Sequence, residues 1–92
     1  MERFRYKYGL KVPYHRQGYI YFVSRSYKEL PKVKRERIEG HCRRVGGEYW
    51  KALFDFVTKD IGAVAICNRH YISSATLERM VRRYYEEFPT EI

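Results

Sequence analysis

The sequence predicts an α+β fold within a single domain over 1–92: an N-terminal β-hairpin followed by four helices, the last three of which pack as a tri-helical unit. Three observations carry this. Aromatic and basic residues alternate strictly in "RFRYKY", apolar residues recur at helical spacing from about residue 30 onward, and Gly, Pro and Ser punctuate the chain between these segments. A chain of 92 residues builds one modest core, burying about 60–65% of the surface its unfolded form exposes.

The hairpin is expected over 1–25. Phe4, Tyr6 and Tyr8 fall on one side of the first strand and Arg3, Arg5 and Lys7 on the other, the period of a half-buried strand. "YIYFV", Tyr19 to Val23, supplies the second strand, and Gly9, Pro13 and Gly18 lie in the connection. A lone two-stranded ribbon is marginal in water, so it must lean on the helices.

A basic helix follows over 30–46. Pro31 suits its first turn, Val33, Ile38, Cys42 and Val45 mark an inward face, and Gly46 and Gly47 stop it. Lys32, Lys34, Arg35, Arg37, Arg43 and Arg44 occupy the other face.

The tri-helical unit spans 48–88, with helices at about 48–59, 61–70 and 74–88. Tyr49, Trp50, Leu53, Phe54, Phe56 and Val57 cover more than half of the first helix, which places it centrally. "IGAVAICNRHY" is short and apolar, and Leu77, Met80, Val81, Tyr84 and Phe88 form one stripe of the last helix, with Pro89 just beyond. Trp50, Leu53, Phe54, Phe56, Leu77, Val81 and Tyr84 are therefore the expected core.

Charge narrows the partners. There are 19 Lys and Arg against 11 Asp and Glu, an excess that suits a polyanion, most often nucleic acid. It is concentrated in residues 1–47, with 13 basic and 4 acidic side chains, whereas residues 48–92 carry 6 and 7. No apolar run approaches the roughly 20 residues of a membrane span, and "MERFRYKYG" lacks the apolar stretch of a signal peptide. The reading is a cytoplasmic protein of a bacterial host, with no membrane role and with Cys42 and Cys67 as reduced thiols.

Residues 66–81, "ICNRHYISSATLERMV", resemble helix-turn-helix segments of phage and mobile-element transcriptional regulators and of the DNA-binding region of sigma factors, within a unit of 61–88. Cys67 takes the small position where the two helices cross, Tyr71 the turn, Ile72 the apolar anchor and Ser73 the cap, with Thr76, Leu77 and Arg79 in register. Tyr71 departs from the Gly or Asn usual at the turn, and polar His70 stands where an apolar residue is common. The resemblance implies a small transcriptional regulator bound to double-stranded DNA. Ser74, Ala75, Thr76, Glu78, Arg79, Arg82 and Arg83 would face the groove, and the six basic residues of 30–46 would neutralise phosphates. A chain this small usually dimerises to read its site, so a homodimer is among the expectations.

A reading from another class stays open. In size and in lacking catalytic motifs the chain also resembles phage-encoded anti-CRISPR inhibitors, which implies a basic, tyrosine-rich surface gripping a nucleic-acid-handling enzyme or its guide RNA. Neither reading involves catalysis or a cofactor. No nucleophile elbow, phosphate loop or paired-carboxylate motif occurs. His41-Cys42 and Cys67-x-x-His70 hold four potential zinc ligands, but adjacent residues converge poorly on one tetrahedral ion, so no metal is expected.

Overall fold

The computed structural model describes residues 7 and 9–92. Among them the elements are helical throughout: α1 (Tyr14–Arg25), α2 (Lys32–Gly46), α3 (Trp50–Thr58), α4 (Ala63–His70) and α5 (Ser74–Glu86), with single 3-10 turns at Tyr27–Glu29 and Gly47–Tyr49. No strand occurs among the described residues, which overturns the α+β expectation. The second strand candidate, Tyr19 to Val23, lies inside α1. The first, residues 3–8, lies outside the described residues except for Lys7, which belongs to no element.

The reason is legible in what α1 buries. Gln17, Ile20 and Ser24 face inward at spacings of three and four, a helical stripe that is two-thirds polar and gives no hydrophobic signal. The aromatic residues that suggested a strand sit around it, with Tyr19 and Phe22 exposed. The polar members are satisfied in place. Ser24 Oγ donates to the Ile20 carbonyl at 2.7 Å, so Tyr84 of α5 donates its hydroxyl to Ser24 Oγ at 2.6 Å. The Gln17 amide clamps the N-terminal segment: its Oε1 accepts from Lys7 N at 2.8 Å, and its Nε2 donates to the carbonyls of Lys7 and Val12 at 3.2 and 3.0 Å. Residues 9–12 thereby form a strap between α1 and α5, with Val12 buried.

Helix α3 is central and touches α1, α2, α4 and α5. Leu53, Leu77, Val81 and Tyr84 are buried as expected, whereas Trp50, Phe54 and Phe56 are only half-buried. The rings of Trp50 and Phe54 meet side chains from α2 and from the turn that follows α1. Arg43 lies 4.0 Å over Trp50, and Tyr27 meets Phe54 edge-on at 4.9 Å.

On α2, Ile38, Cys42 and Val45 point inward with His41. Val33, expected among them, is 56% exposed, because its step of five to Ile38 carries it off the stripe. The α2–α3 junction needs both glycines. A Cβ on Gly46 would come within 3.1 Å of Trp50 Cβ, and Gly47 has φ +56°.

Candidate nucleic-acid interface

Helices α4 and α5 are joined by Tyr71, Ile72 and Ser73. Tyr71 adopts the left-handed conformation, φ 56° and ψ 47°, and its N–H and that of Ile72 both close on the Cys67 carbonyl. This is the C-terminal cap that glycine ordinarily supplies. Tyr71 is the one non-glycine residue with positive φ among the described residues, and its side chain is 93% exposed. The turn is thus made by a residue whose Cβ disfavours it.

Ser73 caps α5, accepting from Thr76 N at 3.1 Å, and its hydroxyl donates to Thr76 Oγ1 at 3.0 Å. Polar His70 finds its partner across the unit: its Nε2 lies 2.9 Å from Asp55 Oδ2, and Lys59 Nζ lies 2.8 Å from Asp55 Oδ1. Burial pushes the Asp55 carboxyl up, but its bonds to Lys59 and His70 outweigh that and hold it below the usual value. The pair ties the end of α4 to α3.

Of the groove-facing candidates, Ser74, Ala75, Glu78, Arg79, Arg82 and Arg83 are exposed and Thr76 is half-buried. Among the described residues Arg79 reaches only Thr76 Oγ1, at 3.4 Å. Arg82 donates to the Gly9 carbonyl of the strap at 2.9 Å and lies 3.9 Å from Glu86. Arg83 bonds Glu87 through both Nε and Nη2, at 3.0 and 3.4 Å, and these bonds hold the Glu87 carboxyl below its ordinary value. Glu86 and Glu87 were missed in the sequence reading, although their i+4 spacing from Arg82 and Arg83 was there to find. The outward side of α5 is therefore balanced, with Glu78, Glu86 and Glu87 set against Arg79, Arg82 and Arg83.

The basic residues of α2 do not share one face. Lys32, Arg37, Arg43 and Arg44 are exposed, while Lys34 and Arg35 are half-buried at its flanks, Arg35 donating to the Leu30 carbonyl at 3.2 Å. Arg43 is held by Trp50 and by Glu39 at 3.7 Å. Arg44 donates to His41 Nδ1, which leaves the proton of that ring on Nε2, donating to the Tyr84 carbonyl at 2.9 Å. Burial, followed by the nearby Arg44 and Arg83 charges, outweighs the bond to Tyr84 and the attraction of Glu87, so the His41 pKa falls below its ordinary value. Through this relay Arg44 stands beside the C-terminal end of α5, about 15 Å along the axis from Ser74.

His41 and His70 are thus committed to Tyr84 and Asp55. Cys42 is buried and Cys67 partly so, and no group of three or more His, Cys, Asp or Glu suited to a metal gathers among the described residues. No helix among them is long and apolar enough to cross a membrane. Comparison with family models, curated proteins and solved structures finds no match to this chain.

Proposed function

We propose that the chain is a small helix-turn-helix protein that binds double-stranded DNA, acting as a regulator in the cytoplasm of a bacterial host, with α5 as the helix that enters the major groove. The observation that carries this reading is the local geometry of α4, the left-handed turn at Tyr71 and the Ser73-capped α5, whose N-terminal half presents Ser74, Ala75, Glu78 and Arg79 outward. Arg79 is the base-reading residue in this proposal. It is exposed, makes one long bond to Thr76, and has the reach for the bidentate guanine contact that arginine favours.

The balanced charge of α5 leaves phosphate neutralisation to other segments, and Lys32, Arg37 and Arg44 of α2 are the exposed cations proposed for it. Because α5 offers no net attraction, affinity rests on few contacts, and pairing of two copies on a two-fold site is the corresponding proposal for assembly.

The test is a titration of wild type and Arg79→Ala against a selected duplex and a scrambled one. Loss of a bidentate base contact lowers affinity for the preferred duplex by about 1–3 kcal/mol, and random DNA little. If wild type prefers no duplex at moderate salt, the helix pair is architecture only. A stoichiometric complex with a nucleic-acid-handling enzyme would then support the inhibitor reading instead.

A further inference from the structure

A notch of about 330 Å³ opens between the strap and the helix pair. It is lined by Leu10 of the strap, Phe56 of α3, Ala63 of α4, and Leu77 and Val81 of α5, with Lys7, Glu78 and Arg82 as its charged members. Its size falls at the lower end of the range for small-molecule sites, and an apolar wall with a few converging polar groups is the usual make-up of such sites.

The charges are unevenly compensated. The Lys7 ammonium stands 5.3 Å from the Tyr85 ring and faces no carboxylate among the described residues. Its neighbour in charge is Arg25, another cation, and burial followed by that repulsion lowers its pKa. A partly desolvated ammonium without a counter-ion is costly unless an anion completes it. Arg82 is held by an uncharged acceptor at 2.9 Å and only distantly by Glu86 at 3.9 Å. Glu78, the one acid among the described residues of the lining, is exposed on α5.

We propose that this notch binds a small amphiphilic carboxylate, its aryl or alkyl body against Leu10, Phe56, Leu77 and Val81 and its carboxylate drawn by Lys7 and Arg82. The site has a built-in relation to α5. Leu77, Glu78, Val81 and Arg82 all belong to that helix, and Glu78 both lines the notch and faces outward beside Arg79, so a ligand seated there crowds the side of α5 that would enter the groove. Resting on the DNA reading for this step, ligand and duplex oppose one another, each weakening the other by the same factor.

The test titrates the full chain with octanoate and phenylacetate, followed by calorimetry and by NMR shifts. The corresponding alcohols, octan-1-ol and 2-phenylethanol, are the uncharged controls. The carboxylates should bind at least about tenfold more tightly than the alcohols, and Lys7→Met should remove most of that difference while leaving the alcohols unchanged. Ala63 is exposed, so Ala63→Leu keeps the fold and fills the notch, and it should abolish binding of both classes. Equal binding of acids and alcohols, no binding at millimolar concentration, or a Lys7→Met variant that binds octanoate like the parent would each overturn the site. Duplex affinity unchanged by saturating octanoate overturns the antagonism. Carboxylate binding in a protein that prefers no duplex leaves the site standing and removes the DNA reading alone.

Discussion

Tyr71 offers a measurement of what the helix pair costs to close. Its ring is 93% exposed and its backbone is left-handed, φ 56° and ψ 47°, so replacement changes conformational energy and almost no packing. Relieving the left-handed clash of a residue with a Cβ is worth roughly 1–2 kcal/mol. Glycine returns roughly 0.5–1 kcal/mol of this through the extra freedom of the unfolded chain. Tyr71→Gly should therefore stabilise the protein by about 0.5–1 kcal/mol. At about 4–8 °C per kcal/mol for a domain of this size, the melting midpoint rises by several degrees. Urea unfolding at constant m-value is the assay, with Tyr71→Ala as the companion variant. Alanine keeps the Cβ and the strain, so it should stay within about 0.5 kcal/mol of the parent. A Tyr71→Gly protein less stable than the parent, or an alanine variant that loses more than this, would show that the ring makes contacts and that the turn is not the strained element.

Leu77 is 3% exposed and borders the notch. Leu77→Ala should cost something in the lower half of about 2–5 kcal/mol in urea unfolding, since water from the notch can fill the space. Cys42 is fully buried, and burial followed by the Glu39 charge pushes its thiol up to about 12. It should resist a disulfide reagent in the native protein and react only on unfolding, while the partly buried Cys67 reacts first. His41 has a lowered pKa in the fold, so the unfolded chain takes up its proton first. Its contribution to stability is present above the ordinary value of 6.5 and is lost as pH falls through the folded value below it. The stability of wild type should drop more steeply than that of His41→Gln between a pH above 6.5 and one below it. Parallel profiles would refute the buried neutral histidine.

Helices α2 to α5 were legible because their signals are local: Pro31 before α2, glycines after it, and the Leu77–Met80–Val81–Tyr84 stripe of α5. Helix α1 was misread because its buried stripe contains Gln17 and Ser24, whose burial depends on Lys7, Val12 and Tyr84 and so on chain contacts that no local window contains. Pro13 directly before Tyr14 was the one usable sign of a helix start there. The candidate interface divides the same way. The Ser73 cap and the outward place of Arg79 follow from spacing alone. The bond from Arg82 to Gly9 joins residues 73 apart in the chain, and the bond from Arg44 to His41 takes on its meaning only through Tyr84. Both lay beyond pattern reading.

The hydroxyl of Tyr84 reaching Ser24, the Tyr84 carbonyl reaching His41 and the amide of Gln17 reaching the strap form a polar thread through an otherwise greasy interior. Greasy surfaces can slide; this thread forbids it. Shifting α5 by one turn moves its partners about 5.4 Å, which strands the Tyr84 hydroxyl and carbonyl and the ring nitrogen of His41, at about 1–3 kcal/mol for each orphaned group. The summed penalty is comparable to the whole stability of about 5–15 kcal/mol expected of a small domain. Alternative registers of the bundle are thus excluded by unmet hydrogen bonds more than by shape. The protein should accordingly show sharp, singly populated side-chain resonances around Tyr84, where a purely aliphatic interior of this size would drift among several packings.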